Sequence, residues 1–138
     1  MPTIDADAHV IETPYTWSFM REDEQRFRPQ LLIRDPNDGA PDIPNRKGDF
    51  WLIEGEIKSR TNVGKDVPAE SRDMRDVSAR IGHMDEIGID IQVLFPSLFL
   101  RPITREPDVD FALARSYNRW LAEIWRKEPS WSIRGVSP

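Results

Sequence analysis

Asp7 and His9 are the residues of this chain whose types and spacing best suit chemistry. They stand two positions apart in a short segment that predicts a β-strand, so their side chains leave the same face roughly 7 Å apart at the backbone. A carboxylate oxygen and an imidazole nitrogen can converge on one divalent ion, and both suit zinc, manganese or iron(II). The alternative is a hydrogen-bonded surface pair, and the neighbouring elements must decide between the two.

The strand that carries this pair is predicted over residues 3–10. A period of two places Asp5, Asp7 and His9 on one face. The opposite face is then apolar and comprises Ile4, Ala6, Ala8 and Val10. Three ionisable side chains on one face of a strand must be solvated, paired or metal-bound.

The region from about residue 15 to residue 70 is too long for a minimal strand-to-helix connection. Residues 34–49 are dense in Pro, Gly, Asp and Asn, which predicts an irregular loop. Residues 50–58 predict a small hairpin that turns at Glu54-Gly55, and residues 63–70 predict a further loop. We expect this region to be an insertion over one end of a scaffold.

A helix, a strand, a second helix and a third strand follow. Apolar residues recur at helical spacing from Met74 to Met84, with Asp73 as the candidate N-cap and Gly88 just past the end. The nearly continuous apolar run at residues 89–95 predicts a buried parallel strand, ended by Pro96. The alternation of strands and helices predicts βαβ units and a parallel sheet.

The second helix is predicted to begin at Asp108, and the third strand to occupy residues 132–138. The apolar stripe of this helix comprises Phe111, Ala114, Tyr117, Leu121 and Ile124, and Trp120 and Trp125 widen it. Tryptophans at this spacing, and Trp131 after them, are predicted to be core residues rather than an interaction surface.

Composition excludes several classes of function. The chain has 138 residues, a formal net charge of -5 and no cysteine, so disulfides, thiolate nucleophiles and Cys-based zinc sites are excluded. The acidic balance gives no electrostatic reason to bind nucleic acid or an anionic membrane. No apolar run approaches the about 18 residues of a membrane span, and no signal peptide is evident. We expect a cytoplasmic protein that binds neither nucleic acid nor membrane.

Four segments together carry a family resemblance: residues 4–12 (IDADAHVIE), 80–97 (RIGHMDEIGIDIQVLFPS), 117–121 (YNRWL) and 134–136 (RGV). They resemble the amidohydrolase-related metal-dependent family that includes aminocarboxymuconate semialdehyde decarboxylase and the resorcylate-type decarboxylases. The resemblance implies a TIM (β/α)₈ barrel, of which residues 1–138 form the N-terminal part, with roughly the first three parallel strands and the insertion at about 15–70. Because such a barrel typically needs about 250 residues, the remaining ligands and the catalytic residues are expected beyond Pro138.

The resemblance carries Asp7 and His9 over as metal ligands. Many relatives have His-x-His at these positions, and an acidic residue at the first of them occurs notably among the decarboxylases. The resemblance therefore implies one divalent ion, zinc or manganese, and the extra negative charge favours manganese. Glu12 also matches a recurring position, without a role that follows from the match.

The function implied is that of a metal-dependent hydrolase or non-oxidative decarboxylase acting on a small carboxylated or carbonyl substrate, inactive as this portion alone. A homo-oligomer of the full-length protein is compatible with that function. The alternative is a truncated, non-catalytic relative that folds or acts only with a partner chain.

Two residues that follow the second parallel strand are candidates for substrate binding. Arg101 would bind a carboxylate and Phe99 would wall the pocket, whereas in the plainer interpretation the loop only covers the rim. Ser97 has no histidine placed to activate it as a nucleophile. His83, in the middle of a helix, is predicted to be a surface or packing residue rather than a ligand.

Overall fold

A computed structural model of the protein describes residues 1–33, 49–60 and 67–127, together with the backbone of residues 133–135. The architecture is mixed α/β. The strands are β1 Ile4–Val10, β2 Gln30–Leu32, β3 Phe50–Ile53, β4 Glu56–Ser59, β5 Ile91–Pro96 and β6 Ile133–Gly135. The helices are α1 Ala69–Arg72, α2 Val77–Ile87 and α3 Pro107–Lys127, and 3₁₀ turns occur at Thr16–Phe19, Glu22–Phe27 and Leu98–Leu100.

The first sheet is parallel and has the order β1-β5-β6. This confirms the predicted parallel pairing, with α2 leading into β5 and α3 connecting β5 to β6. One face of the sheet is buried through Ala8, Val10 and Leu94, which pack with Tyr117 and Trp120 of α3. The sheet therefore has a helix-covered face and an opposite face that carries His9 and Phe95.

A bulge interrupts the pairing of β1 with β5. Asp5 pairs with Gln92, but Ala8 pairs with Leu94, so two residues of β1 stand opposite the single residue Val93. An extra residue turns the side chains that precede it onto the other face of the strand. The prediction that Asp5 shares a face with Asp7 and His9 is therefore wrong: Asp5 bonds to Gln92, whose neighbour Leu94 lies in the core.

The second sheet is antiparallel, with the order β2-β3-β4. The predicted hairpin is confirmed, and both turn residues have positive φ, 46° at Glu54 and 74° at Gly55, as a tight two-residue hairpin turn requires. Trp51 of β3 is buried against Trp17, with ring centroids 5.9 Å apart and a T-shaped geometry. The loops predicted at residues 34–49 and 63–70 lie largely outside the described residues.

Helix α2 begins three residues later than Asp73, the N-cap expected from the sequence. Asp76 is the N-cap, and its Oδ1 accepts a hydrogen bond from the backbone N–H of Ala79 at 3.0 Å. Asp73 instead ends α1, and Met74 forms the turn between the two helices with a φ of 58°. The predicted end is confirmed, since Gly88 has the left-handed conformation that favours glycine.

Helix α3 contacts both sheets. Tyr117, Trp120 and Ile124 belong to the core against β1 and β5, whereas Val109 and Leu113 pack with Trp17 and Trp51. Two residues of the predicted stripe lie outside the core: Phe111 is 66% exposed and Trp125 is 41% exposed. The buried stripe is thus rotated from the predicted one, because α3 must face two sheets at once. Trp131 lies outside the described residues.

None of the helices in the described part of the chain is long and apolar enough to cross a membrane.

Candidate metal centre

The Asp7–His9 pair lies near the carboxyl end of β1. His9 Nε2 is 3.5 Å from Asp7 Oδ1, and the His9 side chain is 16% exposed against 89% for Asp7. The His9 ring stands beside Phe95, its partner on β5, with ring centroids 6.1 Å apart. A half-buried imidazole and an open carboxylate therefore meet at the mouth of the site.

The geometry of the pair fits two ligands of one metal ion. At tetrahedral angles and metal–ligand distances of about 2.1 Å, a nitrogen and an oxygen ligand lie about 3.4 Å apart, which matches the observed separation. His9 Nδ1 is also buried and has no hydrogen-bond partner among the described residues. An unpartnered buried nitrogen is costly, so the His9 ring has bonding capacity that the described part of the chain does not use.

The pair by itself does not make a metal site. Among the residues that the structure describes, no group of three His, Asp or Glu side chains could hold a metal ion. A catalytic centre usually needs about three protein ligands and an open position. Asp7 and His9 can therefore contribute to such a centre but do not form it by themselves.

A pocket of about 210 Å³ adjoins the pair. It is lined by β1, by Ser71 and Arg72, by α2 and by Gln92 of β5. His83, predicted to be a surface or packing residue, has a side chain that is 20% exposed and lines this pocket, with Nδ1 4.0 Å from Glu86 Oε2. Both histidines of the chain thus contribute to the lining of one pocket.

Beneath the pair lies a buried polar network. Arg80 is 5% exposed, and its Nε donates to Gln92 Oε1 at 2.8 Å. Gln92 Nε2 in turn donates to Asp5 Oδ2 at 3.1 Å. Burial lowers the pKa of Arg80 to about 10, although the negative charge of Asp5 acts to raise it.

Glu12 is the second buried ionisable group near the site, at 2% exposure. Both of its carboxylate oxygens accept from the backbone N–H of Leu98 at 3.1 Å. Burial raises the pKa of Glu12 to about 7, although these backbone hydrogen bonds act in the opposite direction. Arg60, which follows the hairpin, donates from Nε to the Glu12 backbone carbonyl. Glu12 thus ties the end of β1 to the segment that follows β5.

The candidate substrate residues line a different cavity. Phe99 and Arg101 belong to a groove of about 570 Å³ between the segment after β5 and the first turns of α3. Within the described residues, this groove and the pocket beside His9 share no lining residue. Phe99 also stacks on Tyr117 in a T-shaped geometry at 5.8 Å, whereas Arg101 is exposed. The structure therefore does not bring these two residues together with Asp7 and His9.

Ser97 is a structural residue. It is 5% exposed, and its hydroxyl donates to the Val10 carbonyl at 2.6 Å. This agrees with the expectation that it is not an activated nucleophile.

Comparison with proteins of known structure identifies a similar fold. A crystal structure of an amidohydrolase from Mycobacterium avium subsp. paratuberculosis K-10 matches with a TM-score of 0.65 and 17% identity. The match covers 99% of this chain and 41% of that chain. The likeness is one of fold. It is consistent with a partial barrel, and the chain spans less than half the length of that amidohydrolase. No family model matches the sequence, and no curated protein matches it.

Sequence reasoning missed the Arg80 network and the burial of Glu12. One signal for the network was present, because Gln92 interrupts an otherwise apolar strand, and a buried amide needs partners. Arg80 occupies the same helical face as Val77 and Met84, so it was placed to be that partner. The burial of Glu12 depends on the segment after β5, which no local pattern at residues 9–12 indicates.

Proposed function

We propose that this chain is the N-terminal part of a metal-dependent amidohydrolase-type enzyme with a (β/α)₈ barrel, and that Asp7 and His9 are two of its metal ligands. The observation that carries the proposal is the pairing of His9 Nε2 with Asp7 Oδ1 at 3.5 Å beside an unpartnered, buried His9 Nδ1. The pair lies near the carboxyl end of a parallel strand, where barrel enzymes place their chemistry. The fold likeness to an amidohydrolase supports the same assignment.

A divalent ion at this position would supply Lewis acidity towards a carbonyl or carboxyl oxygen. The residues of this chain have simpler tasks. His9, held beside Phe95, presents a ring nitrogen from a half-buried position. Asp7 adds a negative charge at the open side of the site, which favours a harder ion and leads us to prefer manganese over zinc.

For the substrate we propose a small carboxylated or carbonyl compound. The exposed guanidinium of Arg101 can bind a carboxylate in a forked geometry. Phe99 is fixed against Tyr117 and can provide a rigid apolar wall. Phe99 and Arg101 line a groove apart from the pocket beside His9, so they would contact a part of the substrate that lies away from the metal. The acidic Asp7 leads us to favour non-oxidative decarboxylation over hydrolysis.

The test is metal binding by the full-length protein, because Asp7 and His9 supply only two of the about three ligands that a catalytic metal site needs. Apo protein is titrated with Mn²⁺ and with Zn²⁺ in separate experiments, and bound metal is quantified by inductively coupled plasma mass spectrometry. We expect one ion per chain, with His9→Ala and Asp7→Ala each weakening binding by tenfold or more.

His83→Ala is the matched control, since His83 is the other histidine of the chain and lines the same pocket. It should leave metal binding unchanged. Equal losses in His9→Ala and His83→Ala would place the ion between β1 and α2, and would refute the proposed site. A protein that retains no ion after titration would refute the metalloenzyme assignment itself.

A further inference from the structure

We propose that Arg80, acting through Gln92 and Asp5, is a positioning residue that holds the bulge of β1 and thereby aims Asp7 and His9. The role of the pair as ligands rests on the function proposed above. The positioning of the strand does not, and it can be tested without any metal.

The Arg80 guanidinium contacts the candidate ligand strand directly. Its Nη1 and Nη2 both donate to the His9 backbone carbonyl at 3.3 Å, and Nη1 also donates to the Ser71 carbonyl at 3.1 Å. Arg80 therefore fixes the peptide group of His9 itself and links it to the segment before α2.

The same network reaches Asp7 by a second path. Gln92 accepts from Arg80 and donates to Asp5 Oδ2. The other carboxylate oxygen of Asp5 accepts from the backbone N–H of Asp7 at 3.1 Å. Asp7, within the bulge, and His9, beyond it, are thus held by the two ends of a single chain of hydrogen bonds.

This arrangement matters because a bulge is a local irregularity that its surroundings must maintain. Two residues of β1 oppose one residue of β5 between Asp5 and Ala8. If the bulge slipped by one residue, Asp7 and His9 would no longer leave the same face of the strand. Side chains that hold ligands in place commonly change metal affinity by about 10- to 100-fold when they are removed.

The alternative is that Arg80 only fills the space between α2 and the sheet. Burying a guanidinium is costly unless its donors are satisfied. Here the acceptors include the backbone carbonyl of His9 and the side chain of Gln92, which is hydrogen-bonded in turn to Asp5. Packing alone would stabilise the whole fold evenly, whereas positioning would act first on residues 7–10. The two interpretations therefore differ in which backbone amides exchange faster once Arg80 is replaced.

The experiment measures hydrogen–deuterium exchange of backbone amides in the full chain, with Mn²⁺ and Zn²⁺ affinity as a second readout. The variants are Arg80→Met, Arg80→Lys and Gln92→Leu. Arg75→Met is the matched control, because Arg75 is exposed and pairs with Asp73 outside the network. We expect Arg80→Met and Gln92→Leu to speed exchange at residues 7–10 at least tenfold more than exchange in α3, and to weaken metal binding about 10- to 100-fold. Arg80→Lys should restore part of both effects.

The proposal is overturned if exchange at residues 7–10 stays as in the wild type, or if it rises equally in β1 and α3. If Arg80→Met does not fold, Arg80→Lys and Gln92→Leu decide by the same criteria. A wild-type protein that binds neither ion would refute the proposed function, while the exchange comparison would still decide whether Arg80 positions β1.

Discussion

Asp5 and Asp7 are the same residue type, two positions apart on one strand, yet they have opposite surroundings. Asp5 accepts hydrogen bonds from Gln92 and from the backbone of Asp7, and through Gln92 it is connected to the buried Arg80. Asp7 is 89% exposed and faces His9. The bulge between Asp5 and Ala8 separates them by turning Asp5 towards the helices.

The difference shows how one short strand can serve stability and chemistry together. On the helix-covered face, Asp5 is hydrogen-bonded to Gln92, and Gln92 to Arg80. On the opposite face, the Asp7 carboxylate is open to solvent and His9 Nδ1 is buried without a partner among the described residues.

Replacing Arg80 should give the largest difference between the two faces of β1 in the free energy of unfolding. Arg80→Met should lower the free energy of unfolding by roughly 4 kcal/mol, because Gln92 and two backbone carbonyls lose their donor and each unpaired buried group costs about 1–3 kcal/mol. Asp7→Asn should change it by less than about 0.5 kcal/mol, as exposed substitutions generally do. Urea unfolding at pH 7 measures both. Comparable losses would show that the faces do not differ in this way.

Glu12 extends the comparison to a buried acid that has backbone donors only. Because burial raises its pKa from 4.5 in the unfolded chain to about 7 in the fold, the folded state holds the proton more tightly. The resulting stability is fully present below pH 4.5 and is lost as the pH rises through 7. The difference corresponds to about 3 kcal/mol.

Glu12→Gln should therefore be more stable than the wild type at pH 8 and should lose most of the pH dependence between 5 and 8. Thermal unfolding across this range tests it, and Glu22→Gln, at an exposed position, provides the control. A wild type whose stability rises over the same interval would contradict the raised pKa of Glu12.

The N-cap of α2 should have an intermediate effect, because α2 carries Arg80. Asp76→Ala removes the acceptor for the Ala79 N–H and should cost about 1 kcal/mol. Asp85→Ala, at an exposed position of the same helix, should cost less than about 0.5 kcal/mol. Chemical denaturation of the two variants side by side gives the comparison, and equal effects would argue against the cap.

The last comparison is made between the two aspartates directly. Asp5→Ala removes an acceptor from Gln92 and from Asp7, and we expect a loss of about 1 kcal/mol. Asp7→Ala should leave stability almost unchanged in the absence of metal. Adding Mn²⁺ should then stabilise the Asp5 variant more than the Asp7 variant, as measured by the shift in melting temperature. A larger shift in melting temperature for the Asp7 variant would show that Asp7 is not a metal ligand.

Periodicity in the sequence was sufficient to predict the parallel strands, both long helices, the hairpin and the end of α2 at Gly88. These features depend on local spacing and on single residues such as Gly55 and Gly88, whose positive φ their sequence context demands. The bulge could not be predicted, because it is a property of the pairing with β5 rather than of β1. For the same reason the pattern of alternation placed Asp5 on the wrong face.

The helix errors have a similar origin. Asp73 and Asp76 are both suitable caps, and the choice between them depends on α1, a helix of four residues that no periodicity indicates. Helical spacing places Phe111 and Trp125 on the buried stripe, but both are exposed because α3 contacts two sheets. The pair Asp7 and His9 could be singled out from the sequence, but the contacts that hold it join residues far apart in the chain.

Those separations also set the order in which the protein can fold. Asp5 and Gln92 are 87 positions apart, so at synthesis rates of about 5–20 residues per second β1 waits on the order of ten seconds for its partner strand. The hairpin of β3 and β4 can close within about 1–10 microseconds once it has been made. Of the strands that the structure describes, β1 is therefore synthesised first, but it can pair with β5 only after Gln92 has been made, and its apolar residues stay without that partner until then.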